Sequence, residues 1–273
     1  MEFIDNGGIR IAYRSFGSGP LAILIHGFPD TEETFVDQIR ELSIDHLVVA
    51  PRLRGFPPSS APAEVSAYET MEVADDIKAI VDHFGGGKAL IIGHDWGGAV
   101  AQAFSLRYPQ AVAGLVIMNV PLASTYNAIL GANPDQQNMA SYTVPYIHFR
   151  DGDPKNIEFI VRNIRDPRHR SLVASYLDGH PLQSMLSYYK ANYPAPPYQK
   201  AEASGYTFDV PVLIVWGMQD EYFVPEVLDG AGRYVRHPLR IVTVPWAGHW
   251  VHRDAASLVN SEIRSWPNGL PKR

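Results

Sequence analysis

Three sets of polar residues in this chain, a nucleophile turn, an acid and base, and an oxyanion-hole turn, could do covalent chemistry together. The first is Gly93-His94-Asp95-Trp96-Gly97-Gly98, set between an apolar run that ends at Ile92 and a helix-like run from Ala99 to Arg107. A strand, a tight turn and a helix in that order lift one side chain clear of the fold on a strained backbone, and here that side chain is the carboxylate of Asp95. Glycines at 93 and 97 suit a turn too tight for side chains. Asp95 also precedes a helix N-terminus, where the dipole and free N–H groups favour negative charge, so it is placed to act as a nucleophile toward carbon. Aspartate is also a common helix N-cap, and the plain reading is that Asp95 does only that. The flanking glycines and the partners below weigh against it.

Those partners are an acid and a base. Gly217-Met218-Gln219-Asp220 follows one apolar run, and Trp246-Ala247-Gly248-His249-Trp250 follows the next. Both groups fall at C-terminal strand ends, where open parallel sheets bind ligands. Asp95, Asp220 and His249 are therefore expected to form a catalytic triad in which Asp220 orients the imidazole and His249 activates water. Asp229, Asp254 and Glu221 are alternative acids, each better explained as a solvated loop or helix-start charge. Asn119, after the sixth strand, has no charge with which to serve as the acid. The third cluster is His26-Gly27-Phe28-Pro29, directly after the run Leu21 to Ile25. It is expected to supply the Phe28 backbone N–H to an oxyanion hole whose second donor is the Trp96 N–H.

The elements that must hold these groups are legible as short β-branched runs: 21–25, 46–50, 89–92, 114–118, 211–216 and 240–244. Continuous apolar runs suit strands buried on both faces of a parallel sheet. Residues 69–84 place Val73, Ile77, Ile80, Val81 and Phe84 on one helical face and stop at Gly85-Gly86-Gly87. Between positions 121 and 207 the alternation gives way to aromatic, proline-rich sequence with two helix-like stretches, which implies a helical cap over a core made of 1–120 and 208–273. At 273 residues, one core with one insertion is the natural size. With 19% charged residues and a net charge of −6, the chain offers no basic face to nucleic acid. It has no cysteine, which removes thiolate nucleophiles, disulfides and cysteine-bound metals. No apolar stretch is long enough for a membrane span and no targeting segment is visible, so a cytoplasmic protein is expected. The residues do not decide between a monomer and a homodimer.

With these motifs in place, the chain resembles the epoxide hydrolase branch of the α/β-hydrolase superfamily, which also contains haloalkane and haloacetate dehalogenases. The resemblance covers nearly the whole chain and implies the α/β-hydrolase fold: a mostly parallel sheet with helices on both faces and a helical cap inserted after the sixth strand. In that family two cap tyrosines hydrogen-bond the epoxide oxygen. Ser187-Tyr188-Tyr189-Lys190-Ala191-Asn192 resembles the second tyrosine's segment, which implies Tyr189; Tyr146, in Tyr146-Ile147-His148-Phe149, is the choice for the first, with Tyr142 one helical turn away. Lid packing is the plainer role for such tyrosines. His26, Pro29, Trp96 and Tyr142 are expected to touch the substrate. One departure stands out. The family's Asp and second Gly after the fourth strand are replaced by Arg52 and Pro57 in Pro51-Arg52-Leu53-Arg54-Gly55-Phe56-Pro57-Pro58-Ser59.

The resemblance implies a small hydrophobic epoxide as substrate, opened through an alkyl ester on Asp95, with no cofactor and no metal. Two rivals accompany it. A haloalkane dehalogenase would need halide donors, and Phe28 offers no side-chain donor and Trp96 no charge. A non-catalytic member of the superfamily would bind a small molecule under its cap.

Overall fold

A computed structural model describes residues 1–266. Positions 267–273, part of the expected core segment 208–273, lie outside the described residues. The apolar runs form β3 (Leu21–Ile25), β4 (Leu47–Arg52), β5 (Ala89–His94), β6 (Val112–Met118), β7 (Val212–Gly217) and β8 (Leu239–Val244). Ahead of them lie β1 (Glu2–Asn6) and β2 (Ile9–Phe16), whose half-exposed pattern carries no continuous apolar run. The eight strands form one sheet in the order β1-β2-β4-β3-β5-β6-β7-β8. The β1–β2 and β2–β4 pairs are antiparallel and the rest parallel.

Because successive strand residues face opposite ways, each strand feeds two cores. Ile23, Ile25, Ile91, Leu115 and Ile117 join one cluster, together with α2 (Thr70–His83) and α3 (Trp96–Arg107). Ala22, Leu24, Leu90, Ile92, Val116 and Met118 join the other. That second face is covered by α1 (Val36–Leu42) and, at the C-terminal end, by α12 (Ala256–Ser265), which follows the short α11 (Val251–Asp254). All six residues of β5 are buried, which puts the turn after it at the centre of the molecule.

Seven short helices lie between β6 and β7: α4 (Tyr126–Ala132), α5 (Pro134–Met139), α6 (Thr143–His148), α7 (Ile157–Val161), α8 (Pro167–Gly179), α9 (Leu182–Met185) and α10 (Ser187–Asn192). The sequence suggested two helical stretches here, and the difference has a local cause. Pro134 and Pro167 sit in the first turn of α5 and α8, where proline's missing N–H costs nothing, and Asn133 and Asp166 cap those helices from the residue before. Apart from α8, the helices here run for only four to seven residues, too short to show a periodicity.

This segment is fastened to the core through the loop that departs from the family pattern. The hydroxyls of Tyr176, Ser184 and Tyr188 donate to the carbonyls of Pro57, Gly55 and Arg54 at 2.8, 2.7 and 3.0 Å. The loop itself is held by two forked ion pairs, Arg52 on Glu32 (2.7 and 2.7 Å) and Arg54 on Asp76 (2.7 and 2.6 Å). Arg52 in place of the family's Asp therefore meets an acidic partner, Glu32, that is itself buried. Among the described residues no helix is long and apolar enough to cross a membrane.

Candidate active site

Asp95 is the single residue between β5 and α3, and its φ of 53° and ψ of −129° lie where side chains are rarely tolerated. The turn survives because glycines surround it. A Cβ on Gly97 would fall 1.9 Å from the Ile25 carbonyl oxygen, and one on Gly27 would fall 2.1 Å from Asp95 Oδ1. The backbone N–H groups of Gly98 and Ala99 donate to the Asp95 carbonyl, so the residue opens the helix through its main chain while its carboxylate points elsewhere. No side-chain capping bond is made, which removes the N-cap reading.

The carboxylate is held from two sides. Oδ1 accepts the Phe28 backbone N–H at 2.8 Å, and Oδ2 lies 3.6 Å from His249 Nε2. Gly27 also brings the Trp96 nitrogen close, 2.6 Å from where its Cβ would stand. His249 Nδ1 donates to Asp220 Oδ2 at 2.9 Å, and Asp220 Oδ1 accepts the Tyr222 and Phe223 N–H groups at 2.7 and 3.2 Å. Asp95, His249 and Asp220 are all buried. Burial alone would push the imidazole pKa down, but the charge and hydrogen bond of Asp220, with Asp95 behind them, outweigh it and raise the pKa to about 10. Of the alternative acids, Asp254 instead accepts the Gly248 N–H at 2.8 Å, and Glu221 lies 3.5 Å from Arg165.

Asn119 is the residue that the sequence did not single out for this site. It follows β6 with φ 44°, exchanges hydrogen bonds with the Gly217 main chain, and donates through Nδ2 to Asp220 Oδ2 at 2.6 Å. A non-glycine residue at positive φ is the structural sign of such a role, and sequence does not reveal it.

Above Asp95 stand tyrosines from the segment between β6 and β7. Tyr146 and Tyr189 pack edge-on to each other at 5.1 Å and against Phe28 at 5.5 and 5.8 Å, and Tyr189 also meets Trp96 at 5.1 Å. Tyr142 contacts both, at 5.7 and 6.2 Å. Loss of contact with water pushes all three phenols above their usual range, and the Asp95 charge adds to this for Tyr189, so they are O–H donors at neutral pH. Pro29 lines the small cavity between Asp95 and His249. His26 lines neither of the two cavities at Asp95. Its ring turns beneath the departing loop, with Nε2 accepting the Leu53 N–H at 3.1 Å and Nδ1 donating to the Gly27 carbonyl at 2.9 Å. It braces the turn that carries Phe28.

An open parallel sheet with a strained carboxylate at the end of β5, an imidazole after β8 and an acid after β7 is the α/β-hydrolase arrangement. Residues 20–256 match the model of the alpha/beta hydrolase fold family, and the chain belongs to that family. It is 26% identical to epoxide hydrolase 4 of Mus musculus, across 95% of this chain and 77% of that protein, and 27% identical to epoxide hydrolase 3 of Xenopus tropicalis, across 96% and 76%. Among solved structures, a mutant epoxide hydrolase from Bacillus megaterium complexed with its product superposes with a TM-score of 0.85 at 26% identity, covering 98% of this chain and 100% of that one. An epoxide hydrolase from metagenomes of hot environments superposes equally well, at 28% identity and with 98% of both chains covered.

Proposed function

We propose that this chain is an epoxide hydrolase that works through an alkyl ester on Asp95. The observation that carries the reading is a carboxylate, not a hydroxyl, at the elbow, in a cavity that Tyr146 and Tyr189 also line. An epoxide has a poor leaving group, so it needs a nucleophile on carbon and a proton on oxygen from opposite directions. The similarity to epoxide hydrolases across almost the whole chain agrees with this.

Asp95 Oδ2 attacks one ring carbon, the carbon–oxygen bond of the ring breaks, and the alkoxide takes a proton from Tyr189, with Tyr146 as the second donor. Oδ1, already on the Phe28 N–H, becomes the ester carbonyl oxygen. The ester no longer carries the Asp95 charge that helps hold a proton on His249, so the imidazole yields that proton to solvent, to recover it when the charge returns, and as the free base it removes a proton from water, whose oxygen adds to the Asp95 carboxyl carbon. Negative charge gathers on Oδ1, within reach of the Phe28 and Trp96 N–H groups. Collapse expels the second diol oxygen, which takes the proton from His249. The carboxylic acid left on Asp95 returns its proton to the tyrosine. The product is a vicinal diol, and the new hydroxyl oxygen comes from Asp95.

The test is hydrolysis of styrene oxide in ¹⁸O water. In a single turnover the label is expected in the Asp95 carboxylate and not in the diol, and over many turnovers in both. Label entering the diol directly in the first turnover would defeat the ester route, as would full multiple turnover by His249→Gln, which is expected to stop at the ester. Haloalkanes run beside the epoxides and assayed for halide separate the dehalogenase reading.

A further inference from the structure

We infer that this site takes epoxides with one apolar, aryl-sized substituent and a free CH₂ terminus, and turns away epoxides substituted on both carbons. The inference rests on the epoxide hydrolase reading above.

The space around Asp95 is divided unequally. On the side of Trp96 and Val120 a chamber of about 270 Å³ runs out between α3 and the cap. On the side of His249 the cavity measures about 10 Å³. A void of that second size holds roughly one water molecule, whereas roughly 150 Å³ suffices for a benzene ring. The small pocket is therefore the seat of the water that His249 activates, and the chamber has room for a ring and a short tether.

The walls make the division firm. Phe28, Ile160, Tyr222 and Trp250 close the small pocket and all are buried. Tyr222 and Trp250 also pack on the His249 ring at 4.8 and 5.1 Å, so neither can withdraw without disturbing the base. The chamber is lined by aromatic faces, among them Tyr126, Tyr193, Tyr206 and Phe223. Its polar groups are largely spent: the Tyr126 and Tyr193 hydroxyls bond each other, and the Gln102 amide is used by the Pro121 carbonyl and the Ala123 N–H. Such walls favour an aromatic or aliphatic arm over a polar one.

Attack requires the reacting carbon to lie roughly 3–3.5 Å from the Asp95 oxygen while the ring oxygen faces the tyrosines. Substituents on the two ring carbons then diverge, one toward each space. An arm on one carbon enters the chamber. A substituent on the other has to enter the water's seat, so it meets buried walls and also displaces the molecule needed to hydrolyse the ester.

The experiment compares kcat/KM for styrene oxide and phenyl glycidyl ether with that for trans-1-phenylpropylene oxide and trans-stilbene oxide. The added methyl is expected to cost roughly 10–200-fold, the range for one extra carbon in a tight pocket, and stilbene oxide to give no turnover. Ile160→Ala, which enlarges the small pocket, should raise the rate on the methyl-substituted epoxide relative to styrene oxide at least tenfold. Ala99→Leu, which fills the chamber, should depress phenyl glycidyl ether turnover more than propylene oxide turnover. Equal rates on terminal and disubstituted epoxides, or a ratio unmoved by Ile160→Ala in a variant that still turns over styrene oxide, overturn the substrate class and leave the epoxide reading standing. If no epoxide is opened, the underlying reading falls and takes this inference with it.

Discussion

Asn119 sits 101 positions before Asp220, yet its amide and the imidazole of His249 share one oxygen of that carboxylate, at 2.6 and 2.9 Å. The same amide clasps the Gly217 main chain, so Asn119 fixes the loop that carries the acid as well as the acid itself. A hydrogen bond to a charged group contributes about 1.5–3 kcal/mol. Asn119→Ala should therefore let Asp220 and His249 drift and slow ester hydrolysis roughly tenfold or more, since 1.36 kcal/mol is a factor of ten. Ester formation, which uses Asp95 and the tyrosines, should keep its rate. The check is rapid-quench mass spectrometry of the peptide containing Asp95, in which ester is expected to accumulate in the variant; equal slowing of both halves would make Asn119 merely structural.

The elements between β6 and β7 are held onto the core by a few buried contacts. One of these is a hydrogen bond: His169 on α8 bonds Asp30 Oδ1 at 2.6 Å, and the other oxygen of Asp30 accepts the Trp250 indole N–H at 2.7 Å. Both partners are buried, so removing one strands the other without water, a loss of about 3–5 kcal/mol in comparable pairs. His169→Ala should lower the unfolding midpoint by that much and speed amide exchange in α8 before the sheet is affected. Unchanged exchange in α8 would mean that the pair does not hold the lid. This contact also marks where sequence reading runs out. The runs from Leu21 to Trp216 gave away the inner parallel strands because each is buried on both faces, β8 showed through its β-branched residues although it is half exposed, and the glycines beside Asp95 gave away the turn because only their absence of side chain fits it. The β1–β2 pair escaped because it is half exposed, and most of the helices between β6 and β7 because they run for only four to seven residues. His169, Asn119 and the bracing role of His26 escaped for a different reason: each depends on a partner from elsewhere in the chain, and spacing along one element carries no trace of it.

Across the whole molecule, the buried titratable groups dictate how stability varies with pH. The pKa of His249 is raised to about 10 by Asp220 and Asp95 against the burial that lowers it, above the 6.5 of a free imidazole, so its contribution is complete below 6.5 and is lost as pH rises through 10. His94 is displaced the other way, to about 4, by burial first and then by the charge of His249. Its folded form resists the proton that the unfolded chain accepts, so stability falls as pH drops from 6.5 toward 4. Below that, Asp30 takes over. Burial would raise its pKa, but the His169 charge and hydrogen bond prevail and lower it to about 2, so its contribution fades as pH falls from about 4 to 2. The three windows meet near pH 6.5, where urea midpoints should peak. In His249→Gln the decline between pH 6.5 and 10 should flatten and the fall from 6.5 toward 4 should ease, because the His249 charge no longer opposes a proton on His94, and in Asp30→Asn the fall below pH 4 should shrink. A His249→Gln curve that keeps the full alkaline decline would show that the imidazole does not hold its extra proton in the folded protein, and the charge balance drawn here between Asp95, His249 and Asp220 would be wrong.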